Sequence, residues 1–232
     1  MAERPGRSLR SIIAEMRAQG NPDSIEGMRQ FGINVEKGFG LNVPQIRAIA
    51  RGVIKTNGRD QTLAEHLWRS GIHDARILAT FIADPLKISR TTMDRWAADC
   101  NSWDICDACS YGLFDATPHV IPKIHKWAKD EREFVRRAAF ATIAGMAVHQ
   151  KKAPDEVFLT FLPLIEKYAY DERNFVRKAV NWALRGIGKR DDALCSAAID
   201  CAERVRAQGT TSARWIAADA LRELRARQNK NI

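Results

Sequence analysis

Apolar residues recur along this chain at spacings of three and four, the period of an amphipathic helix, and no convincing two-residue alternation interrupts them. Leu9, Ile12, Ile13 and Met16 set the pattern in residues 8 to 19, and Gly20-Asn21-Pro22 stops it. A glycine-bearing loop runs from Phe31 to Pro44, and Pro44 suits the first turn of a helix from Gln45 to Ile54. The same reading predicts helices over roughly 61–70, 73–83, 90–100, 102–114, 120–129, 131–148, 155–168, 172–187, 192–207 and 211–227. The loop lacks the G-x-x-x-x-G-K-[ST] and G-x-G-x-x-G spacings of phosphate cradles and follows no clear strand, so it reads as an interhelical connection.

A repeat within this all-α pattern predicts how the helices are arranged. Asp130-Glu131-Arg132-Glu133-Phe134-Val135-Arg136-Arg137-Ala138-Ala139 returns as Asp171-Glu172-Arg173-Asn174-Phe175-Val176-Arg177-Lys178-Ala179-Val180, an offset of 41 residues. That offset lies within the period of two-helix HEAT and armadillo units. Weaker echoes stand at Ala75-Arg76 and Ala213-Arg214. Such helix pairs cannot bury their apolar faces alone. They stack into a solenoid whose inner helices line a concave surface. We expect one domain over residues 1–232, without a linker.

Composition narrows the partner. The 232 residues carry 37 Lys and Arg against 28 Asp and Glu, a net charge of +9 that suits a polyanion such as nucleic acid or an anionic membrane surface. No run of 18 apolar residues and no signal-peptide apolar region after Met1-Ala2-Glu3-Arg4-Pro5-Gly6-Arg7 are found, so a soluble cytoplasmic protein is expected, nucleoid-associated in a prokaryote. Five cysteines, at 100, 106, 109, 195 and 201, are an odd number and read as reduced thiols. Cys100, Cys106 and Cys109 lack a fourth ligand, and the five histidines form no H-x-x-x-H pair. The three thiols read as small buried hydrophobes, and neither metal nor cofactor is expected.

Candidate chemistry centres on Asn101-Ser102-Trp103-Asp104-Ile105-Cys106-Asp107. Asn101 reads as a helix N-cap with Asp104 as its reciprocal partner. Trp103 and Asp107 then stand at i and i+4, one turn apart on one face. Alone, such a pair is more often a buried indole beside a solvated acid. The repeat register adds company: Arg137 aligns with Lys178, and Ala141 with Trp182. If the Trp103 helix is the inner member of the preceding unit, three layers present Trp103 and Asp107, then Arg137, then Lys178 and Trp182. In a basic groove this combination reads as a nucleic-acid site, with the cations on phosphates and the indoles against sugar or base.

At these residues the chain resembles the AlkD-like DNA alkylation repair glycosylases, which are built from HEAT-like repeats. The match rests on Asn101 to Asp107, on Arg137 within Val135-Arg136-Arg137-Ala138-Ala139, and on Trp182 within Asn181-Trp182-Ala183-Leu184-Arg185. Gly40-Leu41-Asn42-Val43-Pro44-Gln45-Ile46-Arg47 is similar to an early helix start of that family. The resemblance implies that Trp103 and Trp182 contact the deoxyribose of the lesion nucleotide, that Asp107 is the catalytic carboxylate, and that Arg137 holds the phosphate backbone. It also implies action on duplex DNA containing alkylated purines, without flipping the base into a pocket; independently of the resemblance, a monomer is the simplest expectation. The chain departs from the family in its thiol-rich Cys106 to Cys109 context and in a basic tail, Arg222 to Lys230. The same architecture also serves non-catalytic binders of bent or branched DNA and protein-interaction scaffolds. A salt-sensitive affinity for duplex DNA separates the DNA-directed readings from the scaffold.

Overall fold

The structure, a computed structural model, describes residues 6–229, so Met1 to Pro5 and Lys230 to Ile232, including the end of the basic tail, lie outside it. Its α-helices are α1 (Leu9–Ala18), α2 (Pro22–Gln30), α3 (Val43–Asn57), α4 (Gln61–Arg69), α5 (His73–Ile82), α6 (Arg90–Asp99) and α7 (Trp103–Ser110). After a 3-10 turn at Phe114–Ala116 come α8 (Val120–Trp127), α9 (Glu133–His149), α10 (Asp155–Leu159), α11 (Leu162–Tyr168), α12 (Asn174–Gly188), α13 (Asp192–Ala207) and α14 (Thr211–Gln228). Helices α3, α5, α7, α9, α12 and α14 pack side by side in that order as one layer. Helix α4 backs α5, α8 backs α9, and α11 and α13 back α12 as a second layer. The buried side chains form one continuous core from Ile12 to Leu224, the all-helical repeat arrangement that the 41-residue period predicts.

The repeated motif tells how neighbouring units are joined. Asp130 accepts the backbone N–H of Arg132 and its guanidinium, and Asp171 does the same for Arg173. Arg136, one helical turn further, donates to Ala128 O at 3.0 Å and to Asp171 Oδ2 at 2.5 Å, so the arginine of one unit closes on the aspartate of the next. One period on, Ser212 stands where a carboxylate would be. Arg177, the counterpart of Arg136, instead lies over the half-exposed Trp215 ring at 5.1 Å.

Helix α9 is buried almost all round, from Val135 to Ala147. Its run of Ala138, Ala139, Ala141, Ala144, Gly145 and Ala147 permits close approach from several sides, and Gly186 of α12 faces Ala144 and Ala147. All five cysteines are free buried thiols. No helix among the described residues is long and apolar enough to cross a membrane.

Several local expectations are corrected. Asn21-Pro22 both ends α1 and starts α2, an unforeseen helix: the Asn21 side chain accepts from Asp23 N, and Pro22 occupies the first turn. The stretch 155–168 divides at Thr160-Phe161, with Pro163 in the first turn of α11. The expected helix 102–114 ends at Ser110, and Gly112, at φ 107°, turns the chain. Its N-cap is Ser102 rather than Asn101 and makes no side-chain cap bond. Asp104 does not reach back to close a capping box, because its carboxylate is held by Ser102 Oγ at 2.7 Å and His73 Nε2 at 2.8 Å.

Candidate active site

Helix α7 carries a stripe of Trp103, Asp107 and Tyr111 at i, i+4 and i+8, with Tyr111 at the C-cap as the helix opens into extended backbone. Trp103 Nε1 donates to Phe31 O at 2.9 Å, which ties α7 to the end of α2 and leaves the Phe31 ring 74% exposed at the lip of the site. The loop beyond Phe31 is pinned by the buried Asp74 of α5. Its carboxylate accepts from Phe39 N at 2.6 Å and Leu41 N at 2.7 Å.

Asp107 meets Arg137 from α9 in a two-pronged ion pair. Arg137 Nε donates to Oδ1 at 2.9 Å and Nη2 to Oδ2 at 2.7 Å, while Nη1 donates to Phe175 O at 2.6 Å. Arg137 is only 5% exposed and the Asp107 side chain 22%. Burial raises the Asp107 pKa above the ordinary carboxylate value, against the pull of Arg137. Two parallel charge-assisted bonds fix the orientation of the carboxylate. A guanidinium has five N–H groups. With three committed, Arg137 is not the free backbone cation that its place in the repeat suggested; one N–H on each terminal nitrogen remains.

One turn away, Asp104 and His73 form a second pair. Burial works against the Asp104 carboxylate, but its bonds from His73, Ser102 and Ile105 outweigh that and hold its pKa below the ordinary value. Asp104 and Asp107 thus stand on one wall with shifts of opposite sign, and Asp107 is the one that holds its proton more readily.

Two hollows flank the Trp103–Asp107 wall. A cavity of about 470 Å³ opens between the N-terminal helices and α7, lined on its aromatic side by Trp103, Tyr111 and Trp182 and on its polar side by His73, Asp104 and Asp107. A recess of about 530 Å³ lies on the other side, where Phe31, Phe175, Arg137 and the exposed Lys178 surround the same Trp103 and Asp107. Trp182 reaches the site through Tyr111, the two rings stacking at 5.6 Å and 21°. The five residues singled out from the sequence therefore gather around one wall, with Trp103, Asp107 and Trp182 on the cavity and Arg137 and Lys178 in the recess. Tyr111, Phe31 and the His73–Asp104 pair were missed. For Tyr111 a signal was present, since it continues the Trp103–Asp107 spacing by one more turn. Phe31 and His73 are distant in sequence and carried none.

The arrangement offers a fixed anionic carboxylate between aromatic faces, with cations to one side. It suits a ligand that carries or develops positive charge beside a polyanionic backbone. In the basic tail, Arg222, Arg225 and Arg227 pair with Asp219, Glu203 and Asp192. Among the described residues, no group of three or more His, Cys, Asp or Glu side chains is placed to hold a metal ion.

Residues 12–224 match the family model described as DNA alkylation repair enzyme. A solved structure described as belonging to "a new family of proteins related to the HEAT-like repeat DNA glycosylases with affinity for branched DNA structures" superposes with a TM-score of 0.74. It shares 19% identity over 85% of this chain and 83% of that one, a likeness of fold. Among curated proteins no sequence match was found.

Proposed function

The chain belongs to the DNA alkylation repair enzyme family, and from that premise we propose that it is a DNA glycosylase hydrolysing the N-glycosidic bond of cationic alkylated purines, of the 3-methyladenine and 7-methylguanine type, in duplex DNA. The observation that carries this reading is the Asp107–Arg137 pair, whose carboxylate is held by two hydrogen bonds between Trp103 and the Tyr111–Trp182 stack.

Alkylation at N3 or N7 makes the purine cationic and a good leaving group, so breaking the C1'–N bond needs little acid assistance. The electron pair leaves with the base, and positive charge develops on the sugar. Asp107, already oriented by Arg137, stabilises that charge without reorganising and aligns the water that attacks C1'. The indole faces of Trp103 and Trp182 favour the same cationic character by roughly 0.5–2 kcal/mol each, depending on desolvation. Lys178 and the two uncommitted N–H groups of Arg137 serve the flanking phosphates. The lesion is engaged through its sugar and backbone while the base stays in the duplex. The enzyme acts as a monomer, on DNA in the cytoplasm and at the nucleoid of a prokaryote.

Incubation of the purified chain with methylated duplex DNA and chromatography of the released bases tests this. Free 3-methyladenine or 7-methylguanine is expected. A second reading, a non-catalytic binder of branched DNA, draws on the affinity stated for the structural neighbour. Tight binding to a four-way junction with no base release from any alkylated duplex would establish it instead.

A further inference from the structure

Near Tyr111 lies another buried carboxylate, which the chemistry proposed above does not use. Asp115, in the 3-10 turn after α7, is fully buried. Its Oδ1 accepts from Gly112 N at 2.8 Å, its Oδ2 pairs with His149 Nδ1 at 2.6 Å, and its carbonyl accepts from Gln150. Room for this carboxylate is made by Gly145, inside α9. A Cβ there would stand 2.5 Å from Asp115 Oδ2. A glycine in a helix interior is destabilising relative to alanine. Here it clears a notch for one acid.

The arrangement fixes the His149 ring at the end of α9. That ring meets Tyr111 at 4.3 Å and 65°, an edge contact, and Tyr111 also stacks on Trp182. Tyr111 is thus held by contacts to an anchored histidine and to an indole of the site, and it lines the same cavity as Asp107 and Trp103.

We propose that Tyr111 is a third aromatic wall of the sugar-binding site, and that Asp115 and His149 are positioning residues that hold Tyr111, and through it Trp182, against the nucleotide. The proposal rests on the reading that this groove receives a DNA nucleotide whose sugar becomes cationic. It adds a specificity element: three aromatic side chains around one carboxylate favour a cationic sugar over a neutral one of the same shape.

The experiment uses the full chain, two duplexes and three variants. One duplex carries a pyrrolidine abasic analogue, cationic at neutral pH, and the other a neutral tetrahydrofuran analogue, so the ratio of Kd values reads the sugar site without chemistry. Tyr111→Ala removes the wall, and Tyr111→Phe keeps the ring. His149→Asn places an amide nitrogen near the position of Nδ1, preserving a donor for Asp115 while deleting the ring that backs Tyr111. His149 is 40% exposed, so this change opens no deep cavity. Wild type should prefer the cationic analogue, Tyr111→Ala and His149→Asn should each lose about fivefold or more of that preference, and Tyr111→Phe should keep it. Melting of His149→Asn should stay close to wild type, which separates positioning from a merely structural staple. Unchanged preference in Tyr111→Ala overturns the proposal, and loss in Tyr111→Ala but not in His149→Asn overturns the positioning role. A wild type that prefers the cationic analogue yet releases no base defeats the glycosylase reading and leaves this proposal standing. A wild type with no preference defeats this proposal even if it releases base.

Discussion

Replacing Asp107 by Asn changes two things at once, because the carboxylate is both the proposed cation stabiliser and the partner of a buried guanidinium. Its oxygens receive Arg137 Nε at 2.9 Å and Nη2 at 2.7 Å. An asparagine offers one oxygen and one NH2, so one of these contacts becomes donor against donor. Truncating one partner of a fully buried pair costs about 3–5 kcal/mol. Asp107 is partly exposed and Asn keeps one bond, so a loss of roughly 1–3 kcal/mol, that of one unsatisfied group, is the better expectation. Base release should fall by about a hundredfold or more, equivalent to about 2.7 kcal/mol at about 1.36 kcal/mol per tenfold. The two effects are separated by single-turnover base release with excess protein, well below the melting transition and at matched DNA occupancy, alongside urea unfolding. Asp107→Asn combined with Arg137→Gln removes the stranded cation, and should recover about 1 kcal/mol of stability relative to the sum of the single changes while recovering no activity. Base release by Asp107→Asn equal to wild type would refute the catalytic role, and strictly additive stabilities would refute the pairing.

Other outcomes follow from the same contacts. Because burial raises the Asp107 pKa above its ordinary 3.8, the acid side of the base-release profile should fall off at higher pH than an ordinary carboxyl would give, and Asp107→Asn should flatten that limb. The linked stability term has the opposite sense: the folded state binds this proton more tightly than the unfolded one, so the contribution favours folding at low pH and is lost as pH rises through the folded pKa. Gly145→Ala, which would ordinarily stabilise a helix interior, should destabilise here because its Cβ meets the Asp115 carboxylate; a variant more stable than wild type in urea would show that no notch exists. Lys178→Ala should weaken binding to damaged and undamaged duplex alike and lower the salt slope by about one, whereas a loss confined to damaged DNA would place Lys178 on the lesion.

Helical period, repeat offset and residue type were all local properties, and they were legible. The 41-residue offset identified the repeat, placed Arg137 and Lys178 in equivalent positions, and explains why Arg136 finds Asp171 while Arg177 does not find its counterpart. The spacing of Trp103 and Asp107 put indole and acid on one face, and one more step would have reached Tyr111. Cap details were less legible. Asn101, Ser102 and Asp104 all suit a helix start, and which of them acts depended on His73, 31 residues away, taking the Asp104 carboxylate.

By itself the sequence determined that this chain is a stack of amphipathic helices, that its repeat runs through Arg137 and Lys178, and which side chains could bear charge or stack on a sugar. Propensity and periodicity act over a few residues and survive in any reading of the chain. Only the tertiary structure decided that Arg137 holds Asp107 and keeps just two N–H groups for phosphate, that the tail arginines Arg222, Arg225 and Arg227 pair with acids, and that Asp115, His149, Tyr111 and Trp182 converge. These pairings join residues about 30 or more apart, apart from those within the C-terminal helices. The choice of partner for a buried charge depends on which acid the packed layers bring within bonding distance, and desolvation makes that choice costly to leave unmade.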